Sequence, residues 1–296
     1  MEPQLGVLLG LMLVVSSSAQ SCTCETNKWT VCTQDASGNC SCKLVGSDHT
    51  VNCSTLTSKC LLMKTERTSV EEKFFLEHHG GLPDDGIYNP DCEDSGVFKA
   101  RQCDQAGTCW CVNTAGVRRT EKGDRNLSCD ELIRTSWVDI ELKHKETSYG
   151  FEACDVADAL THLLENRYKL QPKYIAAVKY DSPFIQIHLK QSDFEQCDVD
   201  IADVAYYLEK DIRDDSIFHS DSPLHVYVNG DALDIENIRV YYVDEKPPVF
   251  CMTHLTSGVT AVVTAVTLPV AVTGLVILMW QRSRKYRKNE IQKMDE

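Results

Sequence analysis

Tyr88-Asn-Pro-Asp-Cys92-Glu-Asp-Ser-Gly96-Val-Phe98-Lys-Ala-Arg-Gln102-Cys103-Asp-Gln-Ala-Gly-Thr-Cys109-Trp110-Cys111-Val112-Asn-Thr-Ala-Gly116 sets four half-cystines among three aromatic residues. A stretch this short cannot bury enough apolar surface to offset the entropy of ordering its chain, so covalent cross-links must constrain the unfolded state instead. Cysteines used in this way also report an oxidising, extracellular compartment.

The chain around this stretch has 296 residues and 15 cysteines, and twelve of them lie between Cys22 and Cys129. Residues 20–59 hold Cys22, Cys24, Cys32, Cys40, Cys42 and Cys53, an even set that reads as one small knot with 15 possible connectivities. Zinc is the competing reading, but the pairs are C-x-C rather than C-x₂-C and the compartment is oxidising. Residues 60–129 hold the second set: Cys60, Cys92, Cys103, Cys109, Cys111 and Cys129. The 31 residues between Cys60 and Cys92 are charge-rich and end in Gly80-Gly81, Pro83 and Asp85-Gly86, which predicts mostly loop. Leu61, Leu62, Met63, Phe74, Phe75 and Leu76 lie in or near it and are candidates for a self-association surface.

Residues 130–250 change character, because apolar periodicity replaces cysteine as the organising signal. Trp137, Val138, Ile140 and Leu142 predict a strand, and Val156, Leu160, Leu163 and Leu164 recur at helical spacing. Tyr174–Tyr180 and Phe184–Leu189 read as strands around Asp181-Ser182-Pro183. A second helix carries Ile201, Val204, Ala205, Leu208 and Ile212, with Asp198 or Asp200 as its cap. Leu224–Val228, the Asn229-Gly230 turn and Ile238–Val243 complete a β-α-β-β-α-β-β order. The fold class is therefore small disulfide-rich modules followed by an α+β domain, an antiparallel sheet with helices on one face, and a single transmembrane helix.

That last element rests on the ends of the chain. Residues 1–19, with the apolar run Leu5–Val15 before Ser17-Ser18-Ala19, read as a secretion signal whose positive charge is the free amino terminus. Residues 258–280 carry no charge over a length matching the bilayer core. Arg282, Arg284, Lys285, Arg287 and Lys288 follow as a stop-transfer cluster, which makes the topology type I with residues 281–296 in the cytoplasm. A tail this short holds no catalytic domain. The chain's formal net charge is −14 although this tail is basic, so nucleic acid is excluded as a partner of the remainder.

Asn39, Asn52 and Asn126 each open an N-x-Ser sequon, Asn126 being the favoured acceptor because a cysteine occupies the middle of the other two. No hydrolase, metalloprotease or phosphate-loop motif is present, which argues against an enzyme. His78-His79 reads as a solvated pair without a ligand set, and Asp198, Asp200 and Asp203 lack the glycine and glutamate of a calcium loop, so no metal or other cofactor is assigned.

The spacing Tyr88-x₃-Cys92-x₃-Gly96-x-Phe98-x₃-Gln102-Cys103, then Trp110-Cys111-Val112-x₃-Gly116, resembles the thyroglobulin type-1 repeat. The order of parts, with Ile140–Lys145, Asp198–Tyr207 and the terminal Met294-Asp295-Glu296, resembles the family of epithelial cell adhesion molecules and trophoblast cell-surface antigens. This resemblance implies the pairings Cys60–Cys92, Cys103–Cys109 and Cys111–Cys129, with Phe98 and Trp110 packed on the bridges. For the first module it implies Cys22–Cys40, Cys24–Cys53 and Cys32–Cys42.

It further implies a glycoprotein at the lateral surface and junctions of epithelial cells that adheres through dimers within one membrane and contacts between cells, and that signals by proteolytic release of its tail. Claudin association through small residues in the span belongs to the same expectation; here the pattern reads Val270-x₃-Gly274, with Ala261-x₃-Ala265 nearer the outer face. Cysteine-protease inhibition, as some thyroglobulin repeats perform, is the alternative. Cys154 and Cys197 depart from the family pattern and are expected to bridge their two helices. Cys251, beside the outer membrane face, is expected to cross-link two copies. The family's dibasic cleavage site is replaced here by isolated Lys64, Arg67 and Lys73.

Overall fold

The computed structural model describes residues 22–77, 88–146, 150–191, 199–219 and 224–248, with the side chains of residues 70–77 left aside. The signal segment, the span at 258–280, the basic stop, Cys197, Asp198, Cys251 and the His78-His79 pair lie outside the described residues, as do the side chains of Phe74, Phe75 and Leu76. Among the described residues no helix is long and apolar enough to cross a membrane.

The first module is a three-stranded antiparallel sheet of β1 (Thr30–Gln34), β2 (Cys40–Leu44) and β3 (Thr50–Val51). Asp35 turns the chain between β1 and β2 by accepting from the amides of Ser37 and Asn39, at 2.8 and 2.9 Å. Cys32 and Cys42 therefore stand opposite one another and are bonded, while Cys22–Cys40 and Cys24–Cys53 tie the flanks.

The segment after β3 corrects the expectation of a loop: Lys59–Glu77 is a helix of 19 residues, α1. The reason lies in composition that charge obscured, since no glycine or proline occurs in it before Gly80 and the run is rich in Leu, Met, Lys, Glu and Arg, all good helix formers. Cys60, Leu62, Thr65 and Ser69 recur at near-helical spacing and are buried, so α1 has an inward face. Leu62 is fully enclosed and belongs to the main core, which removes it from any exposed loop; Leu61 and Met63 are half-buried.

The repeat's hairpin pairs β4 (Arg101–Cys103) with β5 (Cys109–Cys111). Disulfides Cys60–Cys92, Cys103–Cys109 and Cys111–Cys129 are those the resemblance implies. Cys60, Phe98, Trp110 and Val112 form a small core of their own, with the Tyr88 ring edge-on to Trp110 at 5.0 Å. Gln102, wholly buried, stitches the hairpin to the preceding chain: its amide donates to the carbonyls of Asp91 and Lys99, and its oxygen accepts from the Asp91 amide.

The third module contains β6 (Thr135–His144), α2 (Ala153–Asn166), β7 (Ile175–Asp181), β8 (Phe184–Lys190), α3 (Ile201–Ile212), a small hairpin of β9 (Tyr227–Val228) and β10 (Asp231–Ala232), and β11 (Ile235–Asp244). Its sheet runs β11-β6-β8-β7 with every neighbour antiparallel, a β-α-β-β-α-β arrangement in which the two halves interleave. Val138, Ile140 and Leu142 of β6 and Ile185, Ile187 and Leu189 of β8 point to one face, at 0–1% exposure. Val156, Leu160 and Leu164 of α2 and Ile201, Val204, Ala205 and Leu208 of α3 join the same core. Each of the Val, Ile and Leu side chains among them contributes about 1.5–3 kcal/mol of transfer free energy.

Two further expectations shift. Tyr174 ends a 3₁₀ turn rather than opening β7. Of Leu224–Val228 only Tyr227 and Val228 are strand, and they pair across the Asn229-Gly230 turn with β10 instead of joining the sheet. Both turn residues have positive φ, 53° and 93°, as the tight hairpin turn requires.

Candidate functional site

Helix α3 is where all three modules meet. Asp200 caps it, accepting from the Ala202 amide at 2.7 Å, as one of the two expected carboxylates. Asp203, one turn on, caps the neighbouring module's helix instead, accepting from the Lys59 amide at 2.7 Å. Tyr207 donates to the Thr26 carbonyl at 2.9 Å and accepts from the Thr57 amide at 3.1 Å, tying the first module to α3. Tyr206 donates to Glu66 of α1, whose carboxylate also meets Lys210 at 2.7 Å. Burial, with the nearby Asp200 charge, holds the Asp203 carboxyl well above the usual carboxylate range; burial also raises that of Asp200.

A second tie joins the repeat to the end of β11. Arg119 donates through Nε to Asp244 at 2.8 Å and through Nη2 to the carbonyls of Lys246 and Pro247. The other Asp244 oxygen accepts from Asn113 and Thr135, at 2.7 and 3.0 Å. The Arg119 and Asp244 side chains are 9% and 10% exposed, so this is a buried ion pair whose lone pairs are met by further hydrogen bonds. Together the ties make residues 22–248 a single scaffold.

Among the described residues, one sheet face is left uncovered by helices. Trp137, Phe184, Tyr241 and Val243 stand there at 36%, 44%, 51% and 43% exposure. Between them, His188 meets Asp139 at 2.6 Å and the Lys190 ammonium lies 4.7 Å from the Trp137 ring. Val243 pairs with Trp137 and Tyr241 lies beside them, whereas Phe184 stands opposite Lys143 towards the other end of the face, with the Asp139–His188 pair between. Sequence reasoning missed this face, although the signal was present: Trp137, Phe184 and Tyr241 are out of phase with the buried residues of their strands.

Of the other expected site residues, Asn39, Asn52 and Asn126 are all exposed. The cysteine sulfurs that lie close enough together to suggest a metal are all spent in disulfides. Cys154 is a free, exposed thiol, so the expected bridge to Cys197 is not made. Its exposure follows from its position near the start of α2, two residues before the buried Val156 and so turned about 200° from the core-facing side.

This geometry defines a class before it defines a family: a disulfide-laced multi-module protein built round a thyroglobulin type-1 repeat. Comparison with known proteins agrees, since residues 60–129 match the thyroglobulin type-1 repeat model. Residues 22–59 match the epithelial cell adhesion molecule N-terminal domain, and residues 135–244 the EPCAM/Trop-2 C-terminal domain. The mouse protein named tumor-associated calcium signal transducer 2 is 47% identical over 268 residues, 88% of this chain and 84% of that protein. Its human counterpart is 44% identical over 302 residues, 99% and 94%. Mouse epithelial cell adhesion molecule is 44% identical over 301 residues, 98% and 95%. The chain belongs to the EpCAM/Trop-2 family.

Proposed function

We propose that this protein is a cell-surface adhesion and signalling receptor that works by ectodomain self-association. The observation that carries the reading is the uncovered sheet face of Trp137, Phe184, Tyr241 and Val243 on a scaffold locked by α3 and Arg119. A rigid block with one uncovered face bearing exposed aromatic residues loses little entropy on pairing. The names of the relatives, an adhesion molecule and a signal transducer, favour the same reading. In it, residues 258–280 span the plasma membrane of epithelial cells, Arg282, Arg284, Lys285, Arg287 and Lys288 anchor the cytoplasmic side, and the tail signals after proteolysis. Small residues of the span associate with claudins, Asn126 carries glycan, Cys251 links copies, and Leu61, Met63, Phe74, Phe75 and Leu76 flank the contact.

The test is the molar mass of residues 20–250 by light scattering across concentration, with Cys251 left out. A reversible dimer that Trp137→Asp with Tyr241→Asp converts to monomer supports the reading, and Phe74→Asp with Phe75→Asp asks whether α1 contributes. A strict monomer at high concentration overturns self-association through the ectodomain and moves attention to cathepsin inhibition by the repeat.

A further inference from the structure

Lys59 opens α1 at the junction of the modules, and its ammonium is drawn inward rather than out to water. Nζ donates to the Tyr242 hydroxyl at 3.2 Å and lies 4.3 Å from the Tyr242 ring centre and 5.5 Å from that of Tyr206. Among the described residues no carboxylate comes within ion-pairing distance of it, although Glu209, Asp203 and Asp200 lie near enough to act through space. Glu209 is instead engaged by Arg213 at 2.8 Å. The amine borders a groove of about 460 Å³ whose lining includes Tyr206, Glu209, Arg213, Ile238 and Tyr242, a size that suits a small molecule.

A desolvated lysine beside aromatic walls, with a hydroxyl at hydrogen-bond distance and open space in front, is the arrangement of an imine-forming amine. We propose that Lys59 is a covalent capture site for small aromatic or apolar aldehydes. The neutral amine's lone pair attacks the carbonyl carbon as the C=O π pair moves to oxygen. A proton passes from nitrogen to that oxygen, with Tyr242 Oη placed to relay it, giving a carbinolamine. The nitrogen lone pair then forms the C=N bond as the hydroxyl leaves with a proton as water; amine and aldehyde become imine and water, with no net redox change. Tyr206 and Tyr242 offer ring faces to the ligand body.

Burial pushes the amine down to about 8, against the three carboxylates that oppose the shift. At pH 7.4 about a fifth of Lys59 is then neutral, against roughly a thousandth of an ordinary exposed lysine.

The experiment treats the full-length protein in detergent with pyridoxal 5′-phosphate and cyanoborohydride, which reduces the imine to a stable amine, and maps the labelled peptides over time. Lys59 is expected to label at least about tenfold faster than exposed Lys64 at pH 7.4, with its rate half-maximal near pH 8. Tyr242→Phe is expected to slow labelling of Lys59 several-fold and leave Lys64 unchanged. Labelling of Lys59 no faster than Lys64, or a pH profile centred near 10, overturns the proposal using the unaltered protein alone.

Discussion

Asp244 is the residue on which most depends, because three donors of two modules converge on one carboxylate. Asp244→Ala leaves Arg119 buried without its charge partner and Asn113 and Thr135 without their acceptor, and is expected to lower stability by about 3–5 kcal/mol in urea unfolding followed by tryptophan fluorescence. Asp244→Asn, which keeps an acceptor oxygen but loses the charge, should recover only part of this. Gly116 is a second sensitive point: its φ is +76°, and an added Cβ would lie 2.5–2.9 Å from three atoms of the Phe98 ring. Gly116→Ala combines a left-handed backbone with a core clash, so we expect a loss of roughly 2–4 kcal/mol and a thermal midpoint lower by at least about 5 °C in calorimetry. The sequence marked Gly116 as part of a spacing pattern; only the packing shows that Phe98 is why no side chain fits there.

Helix α1 shows where sequence reading stops. Its charges and the glycines after it suggested a loop, because its inward face is divided between its own module, through Cys60, and the third module, through Leu62, and that second partner cannot be seen from periodicity within a single segment. The sheet and both helices of the third module were legible because their apolar periods of two and 3.6 close on one local core, whereas β9 stayed out of the sheet although Leu224–Val228 read as a strand. The cap that Asp203 supplies to α1 is equally non-local, and it carries a pH signature. Its folded pKa lies above the unfolded value near 3.8, so the folded state binds the proton more tightly and stability from this group falls as pH rises through the folded value. Asp203→Asn should therefore remove a component of stability that increases on acidification from neutral pH, measured as the difference in unfolding free energy between variant and parent at pH 7 and pH 5. An unchanged difference at the two pH values would refute this account of the carboxyl.

Across residues 22–248 the three modules behave as one body, because α1 lends Leu62 to the core of the third module while α3 lends Tyr207 to the first and Asp203 to the second. Cysteine content announced the compartment and the covalent frame, but Cys154 obeyed another rule and faces solvent on α2. We expect it to take iodoacetamide without prior reduction, while the twelve cysteines of the first two modules require reduction and unfolding first, as peptide mapping will show. The Arg119 clamp also bears on how the molecule responds to tension. The chain leaves this body at Pro248, and the carbonyls of Lys246 and Pro247 are already gripped by the thyroglobulin repeat. A pull on that end thus reaches a disulfide-laced module before it reaches the ladder between β11 and β6. Traction that would otherwise peel the edge strand open one hydrogen bond at a time is shared first with the part of the molecule that stretches least.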